Sequence, residues 1–209
     1  MLAEDALVPR GLQHPRFVAV PLTADVAALD YAAYMASPDV IRVHSDGRWV
    51  VDGFTLVEDL EQVEQHWRDH QAHRAFAFTF LTPSRNEGLG CLYLNPLRDY
   101  LGRAGADPEL LEVLPAASAM VTFWVRQDQQ DTGLAEDVVR SVDGWLRRDW
   151  PLDTYLFRVL PDERSSCAAL EAHGLRQADL ALPAETRPYL WFGPATGASV
   201  LKQRPGGSG

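Results

Sequence analysis

The sequence predicts an α/β (α+β) fold: a mixed, mostly antiparallel sheet of about seven strands, with helices on both faces and one β-α-β crossover. Residues 120–125 form an unbroken apolar run without a helical period, which is typical of a strand covered on both faces. The segment that follows repeats its apolar residues at spacings of four, four and three, as an amphipathic helix does. These residues are Leu134, Val138, Val142 and Trp145. Strand, loop and helix therefore follow in immediate succession.

The junction between this strand and this helix is the first candidate site. Asp131 or Thr132 can cap the helix, and Pro151 ends it. A loop at a helix N-terminus gathers unpaired backbone N–H groups and the positive end of the helix dipole, so it can bind a phosphate or pyrophosphate. An ordinary strand-to-helix turn has the same local pattern, and the rest of the chain has to decide between the two.

The chain before residue 56 predicts one strand and one helix. Residues 1–15 show little pattern and are expected to form an N-terminal arm. A strand is predicted over 17–22, and Thr23 is the expected N-cap of the helix that follows it. Residues 40–51 are interpreted as a loop that lines a cleft.

A second helix is predicted over 56–70, because Thr55 and Glu58 have the spacing of a capping box. Three histidines at spacings of four and three adjoin one face of it, a spacing that can bind a metal. They are His66, His70 and His73. A solvated helix end is the favoured interpretation, because no signature such as HExxH accompanies them. No metal site is expected.

The middle of the chain predicts a hairpin that leads into the central strand. Phenylalanines alternate with smaller residues over 76–80, turn residues follow, and residues 89–94 return as the second arm. A long connection over 95–119 contains one predicted short helix, 108–114.

The alternation in residues 154–160 predicts a strand parallel to residues 120–125, reached by a right-handed crossover. A short helix then begins near Asp162 or Glu163 and ends at Gly174 in a left-handed cap position. Two final strands, around 175–182 and 188–192, and a flexible tail, 194–209, complete the chain.

Composition narrows the class of protein. The chain has 209 residues, 46% of them hydrophobic and 23% charged, which indicates one globular domain, assigned to residues 16–193. Its net charge of −10 argues against a nucleic-acid partner and gives a small preference for a cationic acceptor. Cys91 and Cys167 have no metal-binding spacing and are expected to be buried thiols. Without a signal-like or membrane-spanning apolar run, a cytoplasmic location is expected.

Residues 130–135 resemble the acyl-coenzyme A binding loop of the GCN5-related N-acetyltransferase (GNAT) family. The family pattern is Gln or Arg, two residues, Gly, one residue, then Gly or Ala, and Gln130, Gly133 and Ala135 match it. Gly174 is similar to the glycine that follows the family's short helix, and the predicted order of elements is similar to the family's over residues 16–193.

The resemblance implies a GNAT-like fold and an N-acetyltransferase that moves an acetyl group from acetyl-CoA to a primary amine by direct attack in a ternary complex. It implies that pantetheine lies where the core strand separates from its parallel neighbour, with the backbone of Trp124 and Val125 beside it. One of their two N–H groups would stabilise the oxyanion. The pyrophosphate would lie on the backbone of Gln130, Asp131, Thr132, Gly133, Leu134 and Ala135.

Three departures from the family pattern bear on activity. Leu170 occupies the place of a tyrosine that protonates the leaving thiolate; Ser166, or Ser165 if the match slides by one residue, is the candidate replacement. Asp131 lies where the loop usually carries Lys or Arg, and residues 120–125 contain no Glu to act as a base. The alternative function is therefore a catalytically weak or inactive acyl-CoA binding or sensing module of the same fold.

The sequence says least about the acceptor of the acetyl group. Trp49, Asp52 and Tyr93 are the candidate walls of its site, and a small-molecule amine or a protein or peptide amine fits the resemblance. C-terminal edge strands pair between subunits in this fold, so a homodimer is one expectation. A serine hydrolase and a nicotinamide-binding fold are disfavoured, because neither GxSxG nor GxGxxG after a strand is present.

Overall fold

The computed structural model describes residues 1–45, 47–49 and 52–194. The strands in these residues are Leu12–His14 (β1), Phe17–Pro21 (β2), Phe76–Leu81 (β3), Gly88–Pro96 (β4), Ser118–Val125 (β5), Thr154–Val159 (β6), Arg176–Ala178 (β7) and Leu190–Gly193 (β8). The helices are Ala27–Met35 (α1), Pro38–His44 (α2), Leu56–Gln71 (α3), Leu97–Arg103 (α4), Pro108–Val113 (α5), Leu134–Asp149 (α6) and Arg164–Ala172 (α7). A 3₁₀ turn, Gln127–Gln129, lies between β5 and α6.

The strands form one sheet in the order β1-β2-β3-β4-β5-β6-β8-β7. β5 and β6 are parallel and the other neighbours are antiparallel, so the predicted mixed sheet with a β-α-β crossover is confirmed. The strand beyond the predicted seven is β1, which lies within residues 1–15 and pairs with β2. The domain limits 16–193 stay a prediction.

One face of the sheet carries the main core. Here α6 and α7 cover the apolar side chains of β3, β5 and β6. Trp145 of α6 packs edge-on against Phe78 and Trp150, with ring centroids 5.1 and 5.3 Å away. A buried side chain of this size contributes about 1.5–3 kcal/mol, so this layer holds the β5-α6-β6 unit rigidly.

The opposite face is covered by two separate groups of helices. One core cluster joins Ala33 and Ile41, on α1 and α2, to Trp124. Another joins the helices α4 and α5 to Leu156 and Trp191. The second group covers the paired part of β5 and β6, at Met120 and Leu156, whereas the first packs near the carboxyl end of β5, at Trp124.

Helix ends agree with the sequence in two places. The capping box of Thr55 and Glu58 forms at the start of α3 as predicted. Gly174 has φ +81° after α7, which confirms the left-handed cap. The final strands are shorter than predicted, and the predicted tail lies outside the described residues apart from its first one.

Three local predictions are wrong, and one helix was not predicted. Neither Asp131 nor Thr132 caps α6: Gly133 does, with φ +76°. Thr23 does not cap α1, which begins at Ala27 after a turn. The segment interpreted as a loop over 40–51 begins inside helix α2; its residues 46, 50 and 51 lie outside the described ones. In the connection over 95–119 the predicted helix forms as α5, but α4 was not predicted, because its seven residues show no clear helical period.

Of the three histidines, His66 and His70 lie on α3 and His73 follows its end, and the first two are not simply solvated. His70 is buried, with its ring 5.0 Å from that of Phe76, and His66 lies 5.4 Å from the ring of Tyr93. Burial lowers the pKa of His70 to about 4. None of the described helices is both long and apolar enough to cross a bilayer.

Candidate active site

The two parallel strands separate at their carboxyl ends. Backbone pairing between β5 and β6 runs from Ser118↔Thr154 to Val121↔Phe157 and stops there. β6 pairs with β8 along its other edge. Among the described residues, the edge of β5 that faced β6 continues without a partner strand to Val125. The carboxyl ends of parallel strands are where ligands bind in α/β sheets. The strand separation that the resemblance implied is present.

A cavity of about 280 Å³ occupies this opening. We call it the opening cavity; its lining includes Val43, Trp124, Val125, Gln130, Glu163 and Ser166. Its volume is close to the lower end of the about 300–1,000 Å³ that small-ligand sites span. The cavity brings together the predicted backbone residues of β5, the first residue of the predicted loop and the predicted serine of α7.

The β5 backbone directs one donor toward the opening. The N–H of Arg126 donates to Leu89 O (2.8 Å), on the β4 side. Because N–H groups alternate along a strand, Trp124 N–H faces β4 and Val125 N–H faces the opening. Val125 O faces the same way and accepts a hydrogen bond from Gln130 Nε2 (2.5 Å). Of the two predicted oxyanion donors, the geometry therefore favours Val125, while the buried Trp124 side chain also packs against Ala33 and Ile41.

The second half of the predicted phosphate loop presents free backbone donors, whereas Gln130 N and Thr132 N donate within the turn, to Gln127 O (3.4 Å) and Gln129 O (3.3 Å). Among the described residues, the N–H groups of positions 133 to 136 have no hydrogen-bond partner, and the first bond of α6 runs from Asp137 N to Gly133 O (3.3 Å). Gly133 has φ +76°, a left-handed conformation that side chains other than glycine rarely adopt. Four unpaired donors and a sixteen-residue helix dipole behind them suit a phosphate group.

A basic residue lies beside this loop, although the loop itself contains none. Arg16, in the β1–β2 turn, donates from Nη1 to Asp137 Oδ2 (2.8 Å) and from Nη2 to Thr132 Oγ1 (3.0 Å). Its guanidinium is paired with Asp137 in the first turn of α6, and no ion pair joins it to Asp131 among the described residues. Sequence reasoning missed Arg16, because the strand that positions it was not predicted.

The two serines of α7 have different surroundings. Ser165 donates to Gln130 O (2.8 Å) and so fastens the helix to the loop. Ser166 is buried and lines the opening cavity. Leu170 is fully buried in the main core. Both serines line the opening cavity; the Ser165 hydroxyl is engaged by Gln130 O, whereas the Ser166 hydroxyl has no hydrogen bond to another described residue, and the choice between the two alignments stays open.

Helix α2 is fastened over the opening by polar contacts. Gln127 N donates to Ser37 Oγ (3.1 Å), and the Gln127 amide exchanges two hydrogen bonds, both 3.0 Å long, with Asp39. Ser37 is itself buried and donates to Ala33 O (2.8 Å). These contacts join α2 to the turn after β5, so the helix forms one wall of the opening cavity.

His44, the last residue of α2, contacts the far wall. Its Nδ1 lies 2.7 Å from Glu163 Oε1, and Glu163 Oε2 accepts a hydrogen bond from Leu160 N (2.6 Å). Both side chains are largely buried, with 17% and 9% exposed. A carboxylate only accepts, so in the neutral imidazole Nδ1 carries the proton and Nε2 is left as the accepting nitrogen. Sequence reasoning missed His44; Pro38 at the first position of a helix was the available signal.

A second cavity, of about 430 Å³, lies on the other side of the His44–Glu163 pair. We call it the acceptor cavity; its lining includes His44, Trp49, Tyr100, Arg103, Arg158 and Tyr189. Trp49 lines this cavity, and its role as a wall of the acceptor site stays a prediction. Asp52 instead lines a separate, wide cavity of about 610 Å³ beside Glu58, which Trp49 also borders. Tyr93 lines none of these cavities.

Buried acids lie beneath the α1–α3 side of the sheet. Asp30 accepts a hydrogen bond from Cys91 Sγ (2.7 Å), and burial raises the pKa of both groups. Asp59 is also buried, and its Oδ2 has no hydrogen-bond partner among the described residues. Burial and the neighbouring Asp30 raise the pKa of Asp59 to about 7.

The family model of the acetyltransferase (GNAT) domain matches residues 16–176. The chain belongs to the GNAT acetyltransferase family. The resemblance read from the loop and the short helix is therefore confirmed, and so is the prediction of an acyltransferase. A comparison with curated protein sequences finds no match.

Solved acetyltransferases have the same fold. A Vibrio cholerae protein assigned as a ribosomal-protein-serine acetyltransferase is 15% identical (TM-score 0.64), and the match covers 88% of this chain and 96% of that one. A ribosomal L7/L12 alpha-N-protein acetyltransferase in complex with coenzyme A is 11% identical (TM-score 0.63; 88% and 97%). The microcin C7 self-immunity acetyltransferase, in complex with acetyl-CoA and AMP, is 12% identical (TM-score 0.64; 90% and 98%).

Proposed function

We propose that this GNAT protein transfers an acetyl group from acetyl-CoA to a primary amine by direct attack in a ternary complex. The observation that carries the proposal is the separation of β5 from β6 after Val121, with a cavity in the gap and a second cavity directly behind the His44–Glu163 pair. Two cavities that meet at one titratable pair allow a donor and an acceptor to approach each other from opposite sides.

The residues present fit acetyl-CoA at three points. The free N–H groups of positions 133 to 136, with Arg16 nearby, would hold the pyrophosphate. The unpaired β5 edge would pair with the pantetheine amides, and Val125 N–H would donate to the thioester oxygen as negative charge develops there. When bound, acetyl-CoA supplies an activated acyl group and a thiol leaving group.

Two side chains would move protons. His44 Nε2, with Nδ1 held by Glu163, would take the proton from the attacking amine. This assignment answers the absence of a glutamate in residues 120–125. Ser166, in the first turn of α7 and in the lining of the opening cavity, would donate a hydrogen bond to the leaving sulfur.

The alternative, a catalytically weak acyl-CoA binding or sensing module, is favoured by one observation. Leu170 is fully buried in the core, so the tyrosine that family members use to protonate the thiolate has no counterpart there. The two functions share the opening cavity and differ only in turnover.

Two measurements separate these functions. Calorimetry with coenzyme A tests the opening cavity, and absence of saturable binding at millimolar ligand, in protein shown to be folded, would refute both functions. Thiol release from acetyl-CoA is then measured against a panel of amines, peptides and ribosomal-protein N-termini. Turnover above background with any acceptor excludes the inactive module; binding without turnover excludes the enzyme. Ribosomal N-termini are included because two of the similar structures are described as ribosomal-protein acetyltransferases. The cytoplasmic location and the homodimer stay predictions.

A further inference from the structure

We propose that the acceptor cavity binds an amine that also carries a negatively charged group, a carboxylate or a phosphate. This inference rests on the proposed function, because it assumes that the cavity behind His44 receives the acceptor. It reverses the small preference for a cationic acceptor that the net charge of −10 suggested. The feature that carries it is Arg158, at the base of the cavity.

The Arg158 guanidinium is held between two aromatic rings. Its Cζ lies 4.7 Å from the ring centroid of Tyr100 and 4.2 Å from that of Tyr189. Tyr100 is held in turn, because its hydroxyl donates to Glu185 Oε1 (2.5 Å). Stacking on two rings holds a guanidinium in one orientation before any ligand arrives.

Arg158 has no acidic partner in the part of the chain that the structure describes. No carboxylate there lies within ion-pair distance of it, and its buried Nε has no hydrogen-bond partner. Glu185 is the one acid among the described lining residues, and Tyr100 already donates to it. Glu185 lies one hydrogen bond beyond Arg158, through the Tyr100 hydroxyl, and does not pair with the guanidinium directly. An arginine fork without a direct carboxylate partner among the described residues matches the oxygens of a carboxylate or phosphate.

The surroundings add positive charge. Arg103, exposed at the end of α4, lines the same cavity and has no ion pair with described residues. Arg48 and Arg187 also line it, and each has an interaction partner of its own. Arg103 and Arg158, which form no ion pair with a described acid, are therefore the two lining cations that can attract an anion to this place.

The arrangement also gives the acceptor a direction. His44 lines the same cavity where it adjoins the opening cavity, whereas Arg158 lies on β6, close to helix α4. An acceptor held by its anionic group at Arg158 would present its amine toward His44. The volume of about 430 Å³ lies within the range of small-ligand sites.

The test uses acceptor pairs that differ in charge but not in the amine. Alanyl-glutamate is compared with alanyl-glutamine, phosphoethanolamine with ethanolamine, and spermidine serves as a cationic acceptor. We expect kcat/KM at least about tenfold higher for the charged member of one of the two pairs, which also tells a carboxylate from a phosphate. Equal use of both members in each pair, or a preference for spermidine, would overturn the inference and leave the transferase intact.

Variants test whether Arg158 causes the preference for a charged acceptor. Arg158→Met keeps the stacked side-chain volume and removes the charge; it should lower kcat/KM for the anionic acceptor about tenfold or more and change the neutral one less than about twofold. Arg103→Gln, at an exposed position, is the second variant and guards against a folding defect. Arg176→Met, on exposed β7 outside the three cavities, is the control for the same change in net charge.

A binding measurement keeps the test independent of turnover. Calorimetry follows N-acetyl-alanyl-glutamate, N-acetyl-alanyl-glutamine and N-acetyl-phosphoethanolamine, none of which can react, in wild type and in the Arg158 and Arg176 variants. Tighter binding of a charged analogue that is lost in Arg158→Met and kept in Arg176→Met supports the anion site, even in protein without turnover. No preference for charge, or the same loss in both variants, refutes it.

Discussion

Asp59→Asn should stabilise this protein above neutral pH. Asp59 on α3 is 6% exposed, one of its carboxylate oxygens lacks a partner among described residues, and Asp30 on α1 adds a second buried acid nearby. Burial, then the charge of Asp30, raises the pKa of Asp59 from 3.8 to about 7. Asparagine keeps the shape of the side chain and removes the ionisation.

The magnitude follows from this pKa. A rise from 3.8 to about 7 is about three pK units, and at about 1.4 kcal/mol each it sets an upper limit near 4 kcal/mol. Relaxation and water entry reduce such costs, so we expect about 2 kcal/mol. The folded protein holds this proton between about pH 4 and 7 while the unfolded chain has lost it, so stability falls as pH rises through this window and stays low above it.

Urea unfolding of wild type and Asp59→Asn at several pH values from 5.5 to 8.5 measures the effect, with the exposed Glu64→Gln on the same helix as control. The difference in the free energy of unfolding should grow with pH in favour of Asp59→Asn and level off above about pH 7. Glu64→Gln should show no such growth. A difference that does not change with pH, or a variant less stable at every pH, would refute the reasoning.

Three further predictions concern the site and its support. Gly133→Val should raise the Kd for coenzyme A about tenfold or more, measured by calorimetry, because φ +76° and the approach of a phosphate both exclude a side chain; Gly174→Val, with φ +81° and open space around it, carries the same strain and should leave the Kd unchanged. His44→Gln should lower kcat about a hundredfold or more without changing coenzyme A binding, and Glu163→Gln should lower kcat less and alter the pH–rate profile. Asp143→Asn should cost about 2–4 kcal/mol in urea unfolding at pH 7.

Unfolding measurements at acid pH can check the sign of the stability change predicted for Asp143→Asn. Burial opposes ionisation of Asp143, yet hydrogen bonds from Tyr155, His173 and Arg147 hold its pKa below the ordinary value. Its contribution is therefore present above about pH 4 and is lost as pH falls further, so wild type and variant should converge in acid.

For the kinetic variants, an unchanged kcat in His44→Gln would contradict the assigned base, and equal Kd changes in the two glycine variants would contradict the phosphate loop.

Much of the fold could be predicted because its signals are local. The capping box of Thr55 and Glu58, the apolar run that became β5 and the left-handed Gly174 each depend on a few neighbouring residues, and each formed as predicted. The loop after β5 could be predicted for the same reason. A glycine followed by an amphipathic period marks the start of a helix, and the first backbone N–H groups of a helix have no partner within it. Even so, the cap was assigned to the wrong residue, because the backbone conformation of Gly133 replaced a side-chain cap.

The chemistry beyond the backbone loop was decided by packing between distant segments. His44 meets Glu163 across 119 positions, and Arg16 meets the phosphate loop across 116 to 121 positions. No local pattern records such contacts, since they depend on where α2 and the β1–β2 turn dock against the sheet. Arg158 shows the same limit: alternation along β6 sets which face it occupies, but only the docking of Tyr100 and Tyr189 shows a cation between two rings without an acidic partner among the described residues. The sequence by itself determined seven of the eight described strands, the start of α3 and the family's loop; the tertiary structure alone decided which charged side chains face the two cavities.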